Sequence, residues 1–184
     1  MKILQVHKFY YPHRGAERYL FNLSKLLEDN GHQVIPFAMA GIKNLSTPYQ
    51  DYFSRNINLE RHDYSWQSLK KIKNIIYNKD AQHDVAQLIM DTRPDLVHCH
   101  NIYHHLSPSI LPVFKYFKLP VVMTVHDFNL ICPNYLLFTG GKICERCKRR
   151  RYYNCFLHRC VKDSFGASAV AALESYIHRS LKIY

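Results

Sequence analysis

KILQVHKFYYPHRGAERYLFNLSKLLEDNGHQVIPFAM, residues 2–39, decides the fold. KILQVH at 2–7 is a short apolar run and predicts a buried strand. FYYPHRG follows as a loop. From Ala16 to Asn30 the residues Tyr19, Leu20, Leu23, Leu26 and Leu27 recur at helical spacing, and Gly31 supplies a C-terminal cap. HQVIPFAM at 32–39 predicts a second strand. Strand, helix and strand in 38 residues make a βαβ unit, the building block of parallel sheets.

The same alternation continues along the chain. Residues 41–64 are polar and predict no regular element, and WQSLKKIKNIIYNK at 66–79 predicts a basic amphipathic helix with Trp66, Leu69, Ile72, Ile75 and Ile76 on one side. A helix over 81–92 stops before Pro94. DLVHCH at 95–100 predicts a third strand, 107–117 a helix with Pro108 in its first turn, and PVVMTVHD at 120–127 a fourth strand. A cysteine-rich loop and a helix over 164–178 follow, and LKIY at 181–184 reads as a truncated strand. The expected fold class is α/β: a doubly wound parallel sheet flanked by helices, with a Cys-rich basic loop insertion over about 128–162.

Composition excludes several classes. With 184 residues, 47% hydrophobic and 21% charged, the chain is neither disordered, collagenous nor coiled coil. No window approaches 18 uninterrupted apolar residues, and the start turns polar after six, so neither a membrane span nor a signal peptide is expected and the expected location is cytoplasmic. Lys and Arg number 25 against 14 Asp and Glu, a net charge of +11, which points to an anionic partner. Much of that excess lies between Lys142 and Lys162, where eight basic residues face the single acid Glu145.

In open α/β sheets, ligands bind beyond the carboxyl ends of the strands. Strand one ends at His7 and runs into Arg14-Gly15-Ala16-Glu17, strand three ends in His98-Cys99-His100-Asn101, and strand four in Thr124-Val125-His126-Asp127. Arg14 to Glu17 open the first helix, where backbone N–H groups attract phosphate. His98 and His100 alternate along a strand and share a face, and Asn101, His104 and His105 add groups suited to hydroxyls. Cys144, Cys147, Cys155 and Cys160 supply the four thiolates of a structural zinc site; reduced free cysteines explain the same spacing equally well. The basic loop and the helix at 66–79 suit an anionic membrane surface or a solvated face.

Three separated segments, 2–39, DLVHCHNIYHHLSPSIL and VVMTVHDFNLICPN, resemble in order the N-terminal domain of family-4 retaining glycosyltransferases, enzymes of two facing Rossmann-like domains (GT-B type). The resemblance spans residues 1–184 and implies transfer of a sugar from a nucleotide-sugar donor to a glycan or lipid-linked acceptor, as in cell-surface polysaccharide synthesis. It implies donor-phosphate contacts from Arg14, Gly15, Ala16 and Glu17, with Arg14 standing where the family has the first of two glycines. It implies catalytic roles for His126 and Asp127 and acceptor contacts from His100 and Asn101, beside which the polar His104 is a further candidate acceptor contact. No catalytic cofactor is implied. The family's second domain holds most of the donor site, and the resemblance leaves it beyond Tyr184, so this half alone is expected to be inactive. Two other expectations stand beside this one: a basic zinc-stabilised nucleic-acid-binding module, which no recognisable nucleic-acid motif supports, and the non-catalytic half of a split transferase.

Overall fold

The computed structural model describes residues 1–55 and 73–181. They fall into two compact units, Met1–His126 and Asp127–Tyr184. The first is α/β. Its strands β1 (Lys2–Val6), β2 (Gln33–Phe37), β3 (Leu96–Cys99) and β4 (Val121–Met123) form one parallel sheet in the order β2-β1-β3-β4. Helix α1 (Gly15–Asp29) joins β1 to β2, α2 (Lys79–Thr92) precedes β3, and α3 (Leu111–Tyr116) leads to β4. Leu4 aligns with Ile35 on one side and Val97 on the other, so three adjacent strands present apolar side chains in register. Leu4, Val6, Ile35, Phe37, Val97 and Cys99 are buried with Ala81, Val85 and Leu88 of α2 and with Ile110 and Phe114.

Local chemistry sets the element ends. The side chain of Asn78 accepts the N–H of Ala81 at 3.0 Å, so α2 starts two residues before the predicted boundary. Arg93, left-handed at φ 49°, ends it ahead of Pro94. The continuous helix predicted for 107–117 is instead a 3₁₀ turn, Pro108–Ile110, followed by α3, because Pro112 has no N–H and its ring crowds the carbonyl four residues back. The fourth strand, predicted over 120–127, spans only Val121–Met123, since β3, its partner among the described residues, ends at Cys99 and the last ladder bond runs from Thr124 N–H to the Cys99 carbonyl at 2.9 Å. Residues 41–55 hold a 3₁₀ turn, Gln50–Tyr52, and an isolated bridge between Met39 and Ser54. Most of the predicted helix at 66–79 lies outside the described residues; its described part is helical over 73–76 and breaks before Asn78. Of the predicted strand at 181–184, only Leu181 is described, as a turn.

The second unit is small. A hairpin of β5 (Phe138–Thr139) and β6 (Lys142–Ile143) turns at Gly140 and Gly141, both with positive φ as a tight two-residue turn requires. Helices α4 (Tyr153–Leu157) and α5 (Phe165–Ser180) follow, the latter capped by the Ser164 hydroxyl on Ala167 N–H. Its buried cluster is Cys147, Tyr152, Cys155 and Ala172. No described helix is long and apolar enough to cross a membrane.

Candidate active site

The order β2-β1-β3-β4 places the reversal of strand order between β1 and β3, the position at whose carboxyl ends open α/β sheets bind ligands. Because paired residues in register share a face, Gln5 lies beside His98, and His7 and His100 project from the same side two residues on. The opposite face of these strands is the apolar core. Thus one sheet face reads Leu and Val, while the other reads Gln and His toward its carboxyl end.

His100 is the centre of this cluster. It has no exposed surface, its Nε2 lies 2.7 Å from Oε1 of Gln5, and its Nδ1 lies 3.0 Å from Nε2 of His126. The His98 ring is 4.3 Å away and the His126 ring 5.3 Å, stacked at 27°. His98 is held by the Thr124 hydroxyl at 2.7 Å. Tyr19 on α1 meets the His126 ring edge-on at 5.3 Å. Burial and the neighbouring imidazoles lower the His100 pKa to about 2, and burial lowers that of His98 as well. His98 and His100 are therefore held neutral at physiological pH.

At the end of β1, His7 accepts the Phe9 N–H on Nδ1 at 3.1 Å, and its Nε2 lies 3.6 Å from Oε1 of Glu17, an electrostatic approach too long for a hydrogen bond. Burial drives its pKa down to about 4 against the opposing pull of Glu17. Glu17 also accepts the Arg14 N–H at 2.9 Å. This carboxylate, only 3% exposed, is engaged within the chain. Within the chain it shapes the loop and caps α1. Arg14 and Gly15 are exposed and Ala16 is half-buried. A Cβ on Gly15 would meet nothing within 4 Å, so packing within the chain does not require a glycine here.

The acceptor-side residues divide. His100 has no exposed surface, and both of its ring nitrogens are bonded within the chain, to Gln5 and His126. Asn101 is 9% exposed with its Oδ1 buried and unbonded. His104 is half-buried with left-handed backbone at φ 63°. His105 packs on Phe9 at 5.5 Å, and burial lowers its pKa to about 3. Phe9 also meets Tyr11 at 5.4 Å, extending an aromatic rim after β1. Gln5 and Tyr19 are site residues that the sequence reading passed over. A lone amide inside an apolar strand was the available signal for Gln5; Tyr19 was masked by its fit to a helical apolar stripe.

In the second unit, the Oδ1 of Asp127 accepts the Asn129 N–H at 2.9 Å, closing a turn. Cys144, Cys147, Cys155 and Cys160 share one neighbourhood with Cys132: burial raises the pKa of Cys147, Cys155 and Cys160, and the neighbouring thiols add to it. All six cysteines of the chain are free. Among the described residues, no three His, Cys, Asp or Glu side chains are arranged to hold a metal ion. A cavity of about 320 Å³ is lined by Arg149, Arg150 and Arg179 together with Ile131, Leu137 and Tyr152.

Residues 13–162 match the sequence profile of Glycosyltransferase Family 4. The chain belongs to this family. A Klebsiella pneumoniae protein described as an uncharacterized 42.6 kDa protein in cps region is 27% identical over 157 residues, an overlap covering 77% of this chain and 40% of that protein. The family-4 chain thus spans about 40% of the length of the curated relative it matches. No solved structure matches it significantly.

Proposed function

We propose that this chain is the acceptor-side, Rossmann-like half of a retaining GT-B glycosyltransferase, working with a second, donor-binding domain outside it, in cell-surface polysaccharide synthesis. The observation that carries this reading is the polar cluster at the β1/β3 switch point. There Tyr19, on the helix that Gly15 opens, meets the ring of His126. His126 contacts the transferred sugar, and the open backbone at Gly15 admits the donor diphosphate at the N-terminus of α1. Asn101 and His104 face the acceptor, with His100 behind His126 as support. Asp127 orders the turn that follows His126. Rate enhancement comes from positioning and charge stabilisation of an oxocarbenium-like state. The relative's place in a cps region supports the polysaccharide setting. The arginine-lined cavity and the basic stretch from Lys142 to Lys162 support contact with an anionic inner-membrane surface carrying a lipid-linked acceptor.

The test is transfer of label from a panel of nucleotide sugars to a lipid-linked acceptor, using the longest natural form of the protein. Gly15→Val is expected to fold normally, since its site is open and its φ is not left-handed. It should raise the donor KM about tenfold, the equivalent of about 1.4 kcal/mol. No product from any donor would overturn the reading, and an unchanged KM would remove Gly15 from the donor site.

For the second unit we propose a structural zinc on Cys144, Cys147, Cys155 and Cys160. Support comes from the shared neighbourhood of the thiols and from a buried cluster of few residues, too little to hold such a unit alone. The sulfurs would have to draw in to about 2.3 Å from the metal. Elemental analysis of protein purified without chelator should give one zinc per chain; a zinc-free folded protein would remove the metal.

A further inference from the structure

We propose that Gln5 is a positioning residue that sets the tautomer of His126 through His100, holding neutral His126 with its proton on Nε2 and none on Nδ1. The side-chain carbonyl of Gln5 can only accept, so Nε2 of His100, 2.7 Å away, carries a proton. A neutral imidazole has one N–H, which leaves the His100 Nδ1 with a lone pair. The nitrogen 3.0 Å from that lone pair, Nε2 of His126, must then be the donor. Neutral His126 consequently has its lone pair on Nδ1. Burial keeps His100 uncharged, so the relay carries direction and no net charge.

Stability alone does not explain the amide. Gln5 is 2% exposed in the central strand, between the buried Leu4 and Val6, and its Nε2 is buried with no hydrogen-bond partner. An unsatisfied buried donor destabilises a fold, and an aliphatic residue would pack there without that cost. What Gln5 supplies, and an aliphatic side chain cannot, is a one-way acceptor at the start of the relay. The consequence rests on the proposed placement of His126 at the sugar: an unprotonated Nδ1 disfavours a bare phosphate oxygen in the same place.

Long-range ¹H–¹⁵N correlation spectra of the ¹⁵N-labelled full chain test this directly, with the His126 signals identified by their loss in His126→Gln. The expected spectrum shows a protonated-type Nε2 and an unprotonated-type Nδ1 for His126. Gln5→Met, which keeps volume but removes the acceptor, should convert this to a mixture of tautomers, and Gln5→Glu, which restores an acceptor oxygen, should return the single form. A proton on Nδ1 in the wild type would overturn the proposal, as would a spectrum unchanged by Gln5→Met. Should Gln5→Met not fold, the wild-type and Gln5→Glu spectra decide. The spectra are taken without substrate. A chain that transfers no sugar can still show the relay, and a transferring chain with reversed tautomers would sink the relay alone.

Discussion

Acidification from pH 7.5 to pH 5 should strip the first unit of much of its stability. His7 and His100 are buried neutral, with pKa values lowered to about 4 and about 2, whereas each takes a proton near 6.5 once unfolded. Between roughly pH 4 and 6.5 the unfolded chain therefore binds more protons than the native one, and linkage makes stability rise with pH across that window. The contribution is fully present above about pH 6.5 and is lost on the way down. Two protons give a slope of about 2.7 kcal/mol per pH unit, so about 4 kcal/mol is gone by pH 5, out of the roughly 5–15 kcal/mol a domain holds in total. His105 and His98 act in the same direction. The groups facing these rings do not cancel the effect: Glu17 opposes it at His7, but Lys8, His98 and His126 reinforce it. Thermal melts followed by circular dichroism at half-unit pH steps measure the slope. A midpoint flat from pH 7.5 to 5 would mean that these imidazoles are hydrated or already charged in the native state.

The histidines behind that acid sensitivity stand out in the sequence as strand ends, whereas their burial does not. The βαβ unit came through because its apolar runs, its helical stripe and Gly31 are each local signals, and Gly31 does adopt φ 78° at the helix end. The strand ends His7, His100 and His126 followed from the rule that α/β sheets bind ligands at their carboxyl edge. Burial of individual side chains did not follow. Leu26 fits the stripe of α1 yet is 59% exposed, while Glu17, polar by type, is 3% exposed because a buried imidazole and a helix N-terminus both face it. Strand β4 is shorter than predicted because Thr124 and Val125 have strand chemistry but lie past Cys99, where the ladder with β3 ends. In the cysteine-rich segment there is no periodicity to read. Its structure depends on left-handed residues such as Arg149 and Arg150, which no propensity favours.

His126→Ala should separate catalysis from folding in the same cluster. The half-buried His126 sits beyond the last residue of β4, touched by Tyr19 and bonded to His100. Removing its ring leaves the buried Nδ1 of His100 without that donor, a cost of about 1–3 kcal/mol, so the melting midpoint should fall by several degrees without loss of the fold at assay temperature. Transfer should fall much further. A preorganised polar contact that strengthens as charge develops contributes about 100- to 1000-fold to kcat in comparable sites, and a group acting at the sugar's reacting end should lower kcat with little change in donor KM. A purely structural His126 makes the opposite forecast: activity would track the folded fraction and recover fully on cooling. Kinetics of wild type and His126→Ala at two temperatures, both below the variant's melting transition, therefore decide between them. A kcat within a few-fold of wild type at the lower temperature would take His126 out of the chemistry and leave it as a strap on His100.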